Sequence, residues 1–94
     1  MKKIEILKSI PYSALCLPYY DEGTVYDSQN NLMTIVYSRG NKIFSLHISL
    51  TDDKKGLITD NYPNTNRTPI NKIKKAVKAY LESYDYKVKL GKHV

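Results

Sequence analysis

The chain has 94 residues, 41% of them hydrophobic and 26% charged, with a formal net charge of +6 and a single cysteine, Cys16. Such a composition excludes a disordered chain and an intramolecular disulfide, and no run reaches the ~18 apolar residues of a membrane span. What remains is one small domain over residues 1–94 with a modest core, expected in a reducing, cytoplasmic setting.

In chain order, Met1-Lys2-Lys3 opens like the charged start of a signal peptide, but Glu5, Lys8 and Ser9 break the apolar run that such a peptide needs. Lys3-Ile4-Glu5-Ile6-Leu7 alternates and reads as a first strand. The spacing of Ile4, Leu7 and Ile10 fits a short helix nearly as well. Pro11 stops either one. Leu15-Cys16-Leu17, closed by Pro18 and followed by Tyr19-Tyr20, reads as an edge strand or a bulge. Asp21-Glu22-Gly23 reads as a turn, and Thr24-Val25-Tyr26 as a short strand.

The strongest β signal follows. Leu32–Ser38 and Lys42–Leu50 flank Arg39-Gly40-Asn41, which is the pattern of a hairpin. In the second of these runs Phe44, Leu46, Ile48 and Leu50 share one face, with Ser45, His47 and Ser49 on the other. The first run is apolar on both faces and is expected to be the more central. Gly56-Leu57-Ile58-Thr59 adds a short strand after the turn at Asp52–Lys55. Residues 60–67 are rich in breakers and form a loop.

Thr68 and Pro69 then begin a helix over 69–84, with Thr68 as cap and Pro69 at the first position. Ile70, Ile73, Val77, Tyr80, Leu81 and Tyr84 recur at intervals of three and four and form one apolar stripe. Lys72, Lys75 and Lys78 lie opposite it, with Lys74 on its flank. Tyr86–Leu90 alternates again and is a candidate last strand. Together these predict an α+β domain of two layers. A small antiparallel sheet of three to five strands, drawn from residues 1–60 around the hairpin 32–50, packs on one C-terminal helix.

No catalytic constellation is visible. Cys16 stands between leucines and reads as a small core hydrophobe, with nothing to join it to His47 or His93. Two histidines and one cysteine at no ligand spacing do not make a zinc site, and the paired acids lack the spacing of a calcium loop. With four glycines and no phosphate-cradling motif, no cofactor is expected either. Nine tyrosines against one phenylalanine fit base stacking and protein hot spots equally. Tyr80 and Tyr84 belong to the helix stripe, whereas Tyr12, Tyr19, Tyr20, Tyr26, Tyr62 and Tyr86 are candidates for exposure.

Charge is the informative feature. Residues 1–66 carry seven basic and seven acidic side chains, whereas residues 67–94 carry eight basic against two acidic. A one-sided positive field attracts an anionic partner. The candidate contact residues are Arg67, Lys72, Lys74, Lys75, Lys78, Lys87 and Lys89. The expectation is a small non-enzymatic binding protein with no membrane partner, its basic helix face set against an anionic macromolecule such as nucleic-acid phosphate. The alternative is an inhibitor or interaction protein of the phage or mobile-element type, docking on an acidic surface of a larger protein. The sequence leaves the oligomeric state open.

Overall fold

A computed structural model of the chain describes residues 2–62 and 68–91, for Thr68 the backbone alone, and puts the hairpin at its centre. Strands β2 (Leu32–Arg39) and β3 (Lys42–Leu50) pair antiparallel across the link Gly40-Asn41. Gly40 has φ 64°, the left-handed conformation that tight hairpin turns need and that glycine adopts without strain. Strand β1 (Asp21–Asp27) pairs outside β2, and strand β4 (Lys55–Asp60) pairs with β3, both antiparallel. Helix α2 (Thr68–Glu82) then carries the chain to β5 (Lys87–Leu90), which lies parallel to β4. The sheet is therefore mixed, in the order β1-β2-β3-β4-β5. A helical crossover returns the chain to the end of the sheet where it started, so the next strand must run parallel.

One face of the sheet is the core face. Met33, Ile35 and Tyr37 of β2, Phe44, Leu46, Ile48 and Leu50 of β3, Ile58 of β4 and Val88 of β5 are buried there. Helix α2 covers β4 and β5 with Ile70, Ile73, Val77 and Leu81, the inner positions of its predicted stripe. The other half of the face is covered by helix α1 (Lys3–Lys8) and the segment behind it. Ile6, Leu7, Ile10, Leu15 and Leu17 bring the apolar side chains there. Nothing among the described residues covers the opposite face.

Several expectations are corrected. Residues 3–8 form a helix, not a strand: burial of Ile6, Leu7 and Ile10 follows the helical alternative, and Glu5 accepts a hydrogen bond from the Lys2 amide at 2.8 Å. One helix is too narrow to roof five strands at ~4.8 Å spacing, so the N-terminal segment supplies the rest of the cover. Leu15–Tyr20 is not an edge strand. A single 3-10 turn, Tyr12–Ala14, precedes it, and Tyr19 sits at φ 64°, outside any strand conformation. The edge strand beside β2 is β1, and its first residues are those read as a turn. There Glu22 turns inward to accept from the Leu17 amide at 3.2 Å and the Tyr12 hydroxyl at 3.0 Å. The middle strand is β3 and not β2, whose second apolar face (Leu32, Val36) is only half-buried. Helix α2 ends at Glu82, two residues short of the expected Tyr84, and Asp85 at φ 68° turns the chain into β5. Most of the loop 60–67 and the side chain of the expected cap Thr68 lie outside the described residues.

Candidate functional site

Of the seven candidate residues, the structure separates what the sequence grouped. Lys72 and Lys75 are exposed on the outer side of α2, and Lys78 is half-buried at the edge of the stripe. The three span about 9 Å of helix axis at 1.5 Å per residue. No ion pair joins any of them to a carboxylate among the described residues. The first turn of α2 has no acidic residue and the last turn has no basic one. These lysines therefore avoid the C-terminal turn, where cations stabilise a helix by a few tenths of a kcal/mol or more. None of them gains from the helix dipole.

Lys74 is the exception on this helix. It is 7% exposed, and its Nζ donates to Asp60 Oδ1 at 2.7 Å and to the Gly91 carbonyl at 3.4 Å. It holds α2 against β4 and has no ammonium to offer a partner. Lys87 and Lys89 are exposed on the other side of the molecule. They flank buried Val88, so strand alternation points them out through the uncovered sheet face. There Lys55 of β4 joins them, paired in register with Lys87. Arg67 lies outside the described residues.

A shallow groove of about 390 Å³ runs beside Lys72, lined by Ala14, Cys16, Pro18, Pro69, Ile73 and Ala76 among others. Cys16 is half-buried in it, because Leu15 and Leu17 take the core-facing positions on either side. Its Sγ lies 3.2 Å from the Tyr12 carbonyl. The cysteine is thus a groove residue and not the core hydrophobe expected. His47 is on the uncovered sheet face, between Thr34 Oγ1 at 3.2 Å and Ser45 Oγ at 3.1 Å. That puts it on the opposite side of the sheet from the groove.

The tyrosines divide. Tyr12, Tyr19 and Tyr26 are exposed. Tyr20 and Tyr62 flank Phe44, with ring centroids at 6.0 and 4.7 Å, and Tyr86 is buried. Tyr80 reaches back to the Ser9 hydroxyl at 2.5 Å and the Ser9 carbonyl at 3.1 Å, tying α2 to the end of α1. The Ser9 contact, followed by that of Tyr84, holds the Tyr80 phenol below its ordinary range.

Sequence reasoning missed Asp60 and Lys55. A signal for each was present: Asp60 has the same strand parity as buried Ile58, and Lys55 that of exposed Leu57. No protein-family model matches the chain, and no curated protein or solved structure matches it significantly. Among the described residues no helix is long and apolar enough to cross a membrane, and no group of three or more His, Cys, Asp or Glu side chains is placed to hold a metal ion.

Proposed function

We propose that this is a small non-enzymatic binding protein that engages an anionic macromolecule through the outer face of α2, with nucleic-acid phosphate as the target. One observation carries the reading. Lys72, Lys75 and Lys78 are strung along one helix face, none is ion-paired among the described residues, and none lies in the last turn, where a cation favours the helix dipole. Arg67 adds a fourth basic residue immediately before α2 in the sequence. Exposed Ala76 and Ala79 keep the surface between the lysines low, so a phosphate backbone can approach. Contacts of this kind are backbone-directed and weakly selective for sequence.

The test is a titration into labelled single- and double-stranded nucleic acid at two salt concentrations. Three phosphate contacts give a slope near −2.7 on duplex, hence about a 40-fold loss between roughly 50 and 200 mM salt. Lys72→Glu with Lys75→Glu is expected to remove the salt-dependent binding without lowering the melting temperature. Absence of binding at the lower salt overturns the reading.

The groove beside Lys72 favours a second reading, in which the same face docks on an acidic protein surface. Its apolar lining (Ala14, Pro18, Ile73) suits an apolar anchor more than a phosphate backbone. Under that reading the lysine variants lose a protein partner, and the salt effect is moderate.

A further inference from the structure

We propose that the uncovered face of the sheet is a self-association surface, and that its occupant is a second copy of this chain. Registers across the sheet align five residues in one row on that face: Asp27 of β1, Leu32 of β2, Ser49 of β3, Leu57 of β4 and Lys89 of β5. The row reads acidic, apolar, small, apolar, basic. It is symmetric in size about Ser49 and opposite in charge at its two ends.

The neighbouring row is matched at its inner positions, Thr34 and Thr59 on either side of His47, with Val25 at one end and Gly91 beside Thr59 at the other. A two-fold axis parallel to β3, set above Ser49 and His47, exchanges β1 with β5 and β2 with β4. It lays Asp27 over the copy's Lys89, Leu32 over its Leu57, Thr34 over its Thr59, and exposed Val25 over the bare backbone of Gly91. Asp21 and the Lys55–Lys87 pair lie at opposite ends of the sheet and do not meet under this axis, so Asp27 and Lys89 carry the charge pairing. An axis at right angles to the strands lays acid on acid and base on base. The charge layout therefore selects one of the two arrangements.

The apolar surface points the same way. All three exposed large aliphatic residues among those described, Val25 (64%), Ile43 (67%) and Leu57 (43%), lie on this face. Asp27 is fixed in place by its Asn30 side-chain contact at 2.7 Å and by the Gln29 and Asn30 amides. Those bonds, the Asn30 side chain first, hold its carboxyl below the usual range, so it stays charged.

Five strands at ~4.8 Å and about seven residues at ~3.3 Å give a footprint of roughly 450 Å² before side-chain relief. A standard interface buries about 800 Å² per partner, so the dimer is weak and reversible. Because α2 lies on the opposite face, dimerisation leaves both copies of its lysine surface outward.

Sedimentation equilibrium on the full chain from about 1 to 500 μM tests this, with a midpoint expected in the micromolar range. Lys89→Glu and Leu57→Ser, both on exposed positions, are each expected to weaken association at least about tenfold. Circular dichroism of the same samples checks that the sheet is retained. Mixing Lys89→Glu with Asp27→Lys restores dimerisation between the two variants, because each then meets an opposite charge at both ends of the row. A chain monomeric throughout the range overturns the proposal. So does a dimer indifferent to Lys89→Glu and Leu57→Ser, or a mixture that associates no better than either variant alone. Nucleic-acid binding by α2 does not enter any of these readouts.

Discussion

Lys74 Nζ lies 2.7 Å from Asp60 Oδ1, and both residues are almost fully buried, at 7% and 1% exposure. The pair joins the first half of α2 to the last residue of β4. Asp60 Oδ2 also accepts the Tyr62 amide at 3.1 Å. A buried pair of this type is unforgiving of losing one member, since the survivor is left buried without its partner.

Asp60→Ala or Lys74→Met alone is therefore expected to cost about 3–5 kcal/mol in urea unfolding. Asp60→Leu combined with Lys74→Met is expected to recover most of that loss, because no unpaired charge remains. If Lys74→Met is harmless by itself, the pair is not holding α2 to the sheet.

Tyr37 is fully buried, and its hydroxyl donates to the Leu15 carbonyl at 2.5 Å. Burial, with Glu22 adding a smaller effect, pushes its phenol well above the ordinary value of 10.0. Above the unfolded pKa the unfolded chain loses a proton that native Tyr37 keeps, so its contribution is intact below about pH 10 and declines above it. The slope from this one residue approaches about 1.4 kcal/mol per pH unit. Tyr37→Phe is expected to cost about 1–3 kcal/mol at neutral pH, by orphaning the Leu15 carbonyl, and to flatten the alkaline limb by one proton. Unfolding curves between about pH 7 and 11 check both.

Gly56 is buried where β4 passes between β3 and β5. A Cβ there lies 3.2 Å from both Leu50 Cδ2 and Val88 Cγ2. Both neighbours are core side chains, so Gly56→Ala is expected to lower stability by about 1–3 kcal/mol, and Gly56→Val by more. A thermal melt that is unchanged for Gly56→Ala means the two tips can swing aside.

The division of the lysines gives a binding prediction. Lys87 leaves the molecule through the uncovered sheet face and Lys75 through the outer face of α2. Lys75→Glu is expected to reduce the slope of log affinity on log salt by about 1, with Lys87→Glu leaving it within error. Equal effects from the two would indicate a partner that wraps the whole molecule.

The elements legible in the sequence were those whose pattern is local. The hairpin 32–50 and the stripe Ile70-Ile73-Val77-Leu81 follow from periods of two and about 3.6, and each buries the face its period predicts. At Lys3–Lys8 the two periods fit nearly equally over six residues, so the choice fell to what the sheet still needed covered. Lys74 shows the limit for charge. Its flanking place on the stripe is visible in the sequence, but only Asp60, fourteen residues earlier, makes it a core residue.

Local periodicity thus determined the two-layer α+β class, the hairpin and the C-terminal helix, and composition alone showed the concentration of charge after residue 66. Tertiary structure decided the parallel return of β5, the roofing by α1, the burial of Lys74 and the separation of Lys72, Lys75 and Lys78 from Lys87 and Lys89. Each of these depends on which segments meet in space. A chain's own period fixes which side of an element is oily, whereas the partner that covers that side comes from elsewhere in the sequence.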